Sequence, residues 1–116
     1  MTTATFPTMG IFPTDTAVTP SGHLAIGGCD VTELAARFGT PLYVFDEATL
    51  RNRAGEFVRE FGSRYPEVAV LYASKAFINK ALVRLFAEEG MGFDVVSAGE
   101  LAVVRAAGVP LDRGYF

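Results

Sequence analysis

Val68-Ala69-Val70-Leu71-Tyr72-Ala73-Ser74-Lys75-Ala76-Phe77 is an apolar run that stops on a lysine. Val68 to Ala73 is unbroken, with two β-branched residues and an aromatic, and Gly62-Ser63-Arg64-Tyr65-Pro66 breaks the chain ahead of it. A strand buried on both faces of a parallel sheet has this pattern. Lys75 then falls where the strand gives out, and α/β folds carry their chemistry at the C-terminal ends of parallel strands. Walled by Tyr72, Ala76 and Phe77, a lysine there is expected to be poorly solvated. Desolvation disfavours the ammonium form and lowers the pKa, which frees an amine able to form an imine. The plainer reading is a lysine that stretches from a strand end to water. Spacing by itself favours that second reading.

The flanks repeat one pattern. Asp30-Val31-Thr32-Glu33 is a helix-capping sequence, and Val31, Leu34, Ala35 and Phe38 give one apolar face. Gly39 and Pro41 end that helix, and Leu42 to Phe45 reads as a short strand. Asp46 caps a longer helix with Leu50, Ala54, Phe57, Val58 and Phe61 inward and Arg51, Glu56, Arg59 and Glu60 outward. After the Lys75 strand, Asn79 caps a helix that turns Ala81, Leu82, Leu85 and Phe86 inward and ends at Gly90. Phe93 to Val96 is the next strand, Ser97 caps a helix to about Ala107, and Gly108 and Pro110 stop it. Strands thus begin near 42, 68 and 93, with another due near 115. A strand–helix unit of about 25 residues argues for a parallel α/β architecture. Unit size alone leaves open an open doubly wound sheet or a barrel.

The motifs settle on a family by resemblance. Tyr72-Ala73-Ser74-Lys75-Ala76, with Phe93-Asp94-Val95-Val96-Ser97-Ala98-Gly99-Glu100-Leu101 after it, resembles the pyridoxal-phosphate-dependent decarboxylases of the alanine-racemase-like barrel type. Among them the chain most resembles the diaminopimelate decarboxylase family. Leu24 to Asp30, Gly39 to Asp46 and Gly108-Val109-Pro110-Leu111 match in the same order, so the resemblance runs from about His23 to the C-terminus. It implies an α/β fold: the first three βα units of a TIM-like (β/α)8 barrel, preceded by an irregular N-terminal segment. Eight such units need roughly 200 residues. The chain therefore reads as the N-terminal part of a larger enzyme that cannot close a barrel alone.

The same resemblance implies pyridoxal 5'-phosphate as cofactor, an electron sink for the carbanion left when carbon dioxide departs. It implies Lys75 as the residue joined to the cofactor, with Ala73 and Asp94 beside it. Lys75, Asp94 and Glu100 form the candidate catalytic set. Carboxylates near the strand end would balance the Lys75 ammonium once substrate displaces it. Glu100 has a structural reading of equal weight, because Ser97-Ala98-Gly99-Glu100 is a capping box. Asp94 has less of one, since an acid within an apolar strand needs a partner. Gly90-Met91-Gly92 follows a helix instead of opening one, so it reads as helix termination and not as a phosphate loop. In the family, the phosphate cradle, the pyridinium partner and the carboxylate-reading arginine come from segments later than Phe116.

Composition sets the outer bounds. The chain has 116 residues, is 50% hydrophobic and has positive mean hydropathy (+0.29). That is rich for a free-standing domain and suggests surface to be covered by more chain or by a partner. A net charge of −3 without a basic cluster argues against nucleic acid as a partner. The single Cys29 fits a reducing compartment and reads as a small buried filler; His23, the only histidine, reads as a solvated turn residue. The first basic residue is Arg37 and prolines interrupt the N-terminus, so no targeting signal or membrane span is expected and the protein should be cytoplasmic. Domain organisation is expected as an irregular tail over 1–21, a segment with a short strand and helix over 22–40, and a partial pyridoxal-binding barrel over 41–116. The resemblance implies a small amino-acid substrate and a homodimer. Competing readings are a sibling decarboxylase of ornithine, arginine or carboxynorspermidine, a non-catalytic relative of the fold, and a truncated remnant.

Overall fold

A computed structural model of the chain describes residues 9–116. The chain divides into two compact units, one ending at Leu50 and one starting at Arg51.

The first unit is built on a small antiparallel sheet in the order β1 (Thr16–Val18), β2 (Leu24–Ile26), β3 (Cys29–Asp30). Gly27 and Gly28 join β2 to β3 with φ of 56° and 78°, the two left-handed residues that a tight hairpin demands. Asp30 ends β3 and caps α1 (Val31–Phe38), its Oδ1 accepting from the Thr32 amide at 2.8 Å. The cap closes on the second helical residue, not on Glu33. Three sequence expectations are corrected here. Residues 1–21 are not an irregular tail throughout: β1 lies within them, its Thr-Ala-Val stretch pairing with β2, while residues 1–8 lie outside the described residues. Leu42 to Phe45 forms no strand, since it belongs to neither sheet, and Tyr43 is 88% exposed. Cys29 is exposed, because β3 is an edge strand only two residues long. His23 is exposed as expected, and its Nδ1 lies 2.8 Å from Asp30 Oδ2. The hairpin, and not sequence proximity, brings that pair together.

α2 (Glu47–Gly62) starts on the buried Asp46, whose Oδ2 accepts from the Thr49 amide at 2.9 Å and from the Thr49 hydroxyl. Its inward face differs from the one expected. Ala54 and Gly55 are buried, whereas Phe57 and Phe61 are exposed and stack on each other. Arg51, expected outside, forks onto Glu88 (2.8 Å) and Glu89 (2.9 Å). Gly55 gives the reason, because a Cβ there would lie 3.0 Å from the Arg59 guanidinium and 3.4 Å from Glu89. Small residues set the approach, and the large aromatics are left facing solvent.

The second unit holds a parallel sheet in the order β4 (Leu71–Ala73), β5 (Gly92–Asp94), β6 (Gly114–Tyr115). α3 (Lys80–Glu88) joins the first two strands and α4 (Ala98–Ala106) follows β5. Their caps are the expected ones: Asn79 Oδ1 accepts from the Leu82 amide at 2.8 Å, and Ser97 Oγ from the Glu100 amide at 3.2 Å. Leu82, Leu85 and Phe86 turn inward, but Val83 takes the place expected for Ala81, which is exposed. With Phe93, Val95, Val104, Ala107 and Val109 they form the core. Gly90 and Gly108 follow the helix ends as expected.

Register fixes the two faces of this sheet. Tyr72 pairs with Phe93, and Phe93 with Gly114; Phe93 is fully buried and the Tyr72 ring lies 4.7 Å from that of Phe86. Side chains alternate along a strand, so Leu71, Ala73, Asp94 and Tyr115 share the opposite face. All four are exposed. The strand read as buried on both faces is therefore covered on one only, and it is shorter, since Val68 to Val70 lie ahead of β4. The apolar surplus of the composition stands on the surface of the second unit as Leu71, Phe77, Val96, Tyr115 and Phe116.

Candidate functional site

Lys75 sits in a single 3-10 turn, Ser74–Ala76, that leaves the C-terminal end of β4. Ser74 is buried and its Oγ has no hydrogen-bond partner; Lys75 and Ala76 on either side of the turn's tip are exposed. The desolvated wall expected around the lysine is not formed. Tyr72 points to the helix layer, while Ala76 and Phe77 themselves face solvent. Among the described residues Lys75 has no ion pair.

Ala73 and Asp94 are in-register partners on β4 and β5. Both sit at the carboxyl end of their strands on the exposed face, one turn from the lysine. Asp94 was expected to need a partner as a carboxylate in an apolar strand; it has none among the described residues because it opens to water. Tyr115, its register partner on β6, continues the same row. Glu100 is placed differently. Its Oε2 accepts from the Val96 amide at 2.8 Å while its own amide donates to Ser97 Oγ at 3.2 Å. The carboxylate thus closes the capping box onto the residue before the cap and pins the exit of β5, two residues after Asp94. Lys75, Ala73 and Asp94 are brought to one edge, and Glu100 acts on that edge through backbone.

Gly92 lies beneath this row. A Cβ on it would come within 2.7 Å of Leu71 Cδ2 and 3.0 Å of the Arg113 carbonyl. The absence of a side chain is what lets the three strands close up at the level below Asp94. Gly92, which reads in the sequence with Gly90 as punctuation, has this packing role as well. Tyr72 reads in the sequence only as a wall to Lys75. A hydroxyl-bearing aromatic in an otherwise apolar strand asks for a hydrogen-bond partner, and that signal was present: Tyr72 donates to the Phe77 carbonyl at 2.7 Å.

A depression of about 460 Å³ in the first unit, lined among others by Leu34, Phe38, Tyr43 and Asp46, offers less chemistry. The Asp46 carboxylate there is already used to cap α2. The described residues hold no cluster of three or more metal-ligating side chains, and no described helix is long and apolar enough to cross a membrane.

Comparison with known proteins adds to this geometry. A family model described as the pyridoxal-binding domain of pyridoxal-dependent decarboxylases matches residues 48–116. The chain is 50% identical over 95 residues to diaminopimelate decarboxylase of Bacillus subtilis, covering 82% of this chain and 22% of that protein. It is 46% identical over 103 residues to the diaminopimelate decarboxylase of Methanothermobacter thermautotrophicus, covering 89% of this chain and 24% of the other. The fold is similar to the crystal structure of diaminopimelate decarboxylase from M. jannaschi, with a TM-score of 0.70 at 34% identity over 85% of this chain and 24% of that one. The chain therefore spans less than a quarter of the length of these relatives, and its three parallel strands are part of a barrel.

Proposed function

The chain belongs to the pyridoxal-dependent decarboxylase family, and from that membership we propose that it forms the lysine-bearing part of an amino-acid decarboxylase acting on diaminopimelate. The observation that carries the reading is the edge just described: an exposed, unpaired lysine amine at the carboxyl end of a parallel strand, with an exposed carboxylate on the adjoining strand. These residues fit pyridoxal 5'-phosphate. Lys75 is free to bond to an aldehyde, Ala73 is small enough to let a flat ring approach, and the unpartnered Ser74 hydroxyl lies within the same turn. When bound, the cofactor supplies the electron sink for loss of carbon dioxide.

The chain's own residues divide the remaining work. Lys75 would hold the cofactor and give up its place there to the substrate amine. Asp94, on the next strand, would offer negative charge to the Lys75 ammonium whenever that amine is free. Glu100 keeps the β5 exit in place so that Asp94 stays on the edge. The proposed organisation is an N-terminal segment over 1–40 and a barrel part over 41–116, in a cytoplasmic homodimer. Diaminopimelate is preferred over ornithine or arginine because both curated relatives named above carry that activity.

The test is borohydride reduction of the full-length protein with pyridoxal phosphate, followed by peptide mapping. The pyridoxyl label is expected on Lys75. Label on Lys80 instead would end the assignment. Lys75→Met should abolish carbon dioxide release from diaminopimelate while leaving the protein folded, since the Lys75 side chain is exposed and makes no ion pair among the described residues.

A further inference from the structure

The Tyr72 hydroxyl donates to the Phe77 carbonyl across five residues, and the residues it spans are the turn that carries Lys75. Both ends of that turn are tied to α3. At the entry, the Tyr72 ring packs on Phe86 with centroids 4.7 Å apart and planes tilted by 51°. At the exit, Phe77 lies two residues before Asn79, whose side chain caps α3. The turn itself has no side-chain cap, and Lys75 and Ala76 at its tip are solvent-facing. A short 3-10 turn with exposed side chains has little to hold its direction. The phenol closes it like a strap from the helix side of the sheet, leaving the opposite face clear.

We propose that Tyr72 is the positioning residue of the Lys75 turn, its hydroxyl fixing the direction in which the lysine leaves the sheet edge. This rests on the reading of Lys75 as the cofactor lysine. The hydroxyl suits the task because burial raises its pKa above the ordinary tyrosine value. It stays a donor throughout the range in which lysine amines react. The ring and the hydroxyl have separable roles, the first anchoring to α3 and the second bridging to the turn.

Tyr72→Phe in the full-length protein keeps the ring on Phe86 and removes only the bridge. Hydrogen exchange of the Lys75, Ala76 and Phe77 amides is measured without cofactor, and the pyridoxal phosphate dissociation constant is measured by absorbance titration. Loss of one net hydrogen bond that orders the turn predicts exchange about fivefold faster and cofactor binding about fivefold weaker. The melting temperature should move little, and the borohydride label should stay on Lys75. A lower melting temperature with unchanged turn exchange and unchanged cofactor affinity would make Tyr72 merely structural and overturn the proposal. So would a variant that matches wild type in all three readouts. The exchange measurement needs no cofactor, so a label found away from Lys75 would remove the functional reading without deciding whether Tyr72 straps the turn.

Discussion

At the start of α4, Ser97 Oγ accepts from the Glu100 amide and Glu100 Oε2 from the Val96 amide, and taking these bonds apart separates structure from chemistry. Ser97→Ala removes the acceptor of the Glu100 amide, a capping loss of about 1 kcal/mol. Glu100→Ala removes the acceptor of the Val96 amide and a negative charge at the helix N-terminus, together about 1–2 kcal/mol. Glu100→Gln keeps an oxygen for Val96 and loses only the charge, about 0.3–1 kcal/mol. The cost falls on one helix end, so native-state hydrogen exchange is the assay that reads it. In Ser97→Ala the first-turn amides of α4 should exchange about fivefold faster, the equivalent of 1 kcal/mol of local opening. Because both bonds meet at Glu100, the double variant Ser97→Ala/Glu100→Ala should fall short of the sum of its parts. Turnover should follow the exchange: small losses for Ser97→Ala and Glu100→Gln, a larger one for Glu100→Ala as the β5 exit loosens. If Glu100→Gln lost several orders of magnitude in rate with first-turn exchange as in wild type, the carboxylate charge would be acting on the reacting groups and the positioning role assigned to Glu100 would be wrong.

Gly92→Ala should destabilise the protein by about 1–3 kcal/mol in urea unfolding, since its Cβ would meet the Arg113 carbonyl as well as the movable Leu71; an unchanged midpoint would show that the strands can spread at no cost. Asp30 gives a pH signature. Hydrogen bonds from the Thr32 side chain, then from His23, hold its carboxyl down to about 2 from an ordinary 3.8. A lowered folded-state pKa means stabilisation that is complete above about pH 4 and lost as pH falls towards 2. Asp30→Asn, which preserves a cap, should therefore be less stable than wild type at pH 5, with the difference shrinking steadily as pH falls through 4 towards 2. A deficit that persists unchanged at pH 2 would refute the charge as its source.

What the sequence made legible was whatever is decided within a few residues. Asp30, Asp46, Asn79 and Ser97 all cap the helices assigned to them, because a cap needs only a side-chain oxygen and an amide two or three positions on. The βα period located β4, β5 and the strand near 115 for the same reason. Facing was less legible. The 3.6-residue pattern of α2 is satisfied by Phe57 and Phe61 as well as by Ala54 and Gly55, and periodicity does not say which stripe meets the first neighbour. Gly55 was the available clue, as a residue that lets another element come close. The His23–Asp30 pair was hidden by seven residues of separation and revealed by the Gly27-Gly28 hairpin, a signal of two adjacent glycines between short apolar pieces.

The candidate site shows the same division on a larger scale. That Lys75 follows a parallel strand and that Asp94 ends the next one are local facts, and register turns them into a shared edge. Dryness is not local. Its sequence neighbours Tyr72, Ala76 and Phe77 do not enclose Lys75: alternation sends Tyr72 to the helix layer, and the opposite face of the sheet is lined by Leu71, Ala73, Asp94 and Tyr115, all open. A barrel strand is buried on its inner face by strands across the barrel, which three adjoining strands do not supply. The apolar character of Leu71 and Tyr115 is thus already written for an interior that this part of the barrel does not itself enclose. Position comes from the βα unit and desolvation from closure. The strap from Tyr72 belongs with the first: it orients the lysine before anything encloses it.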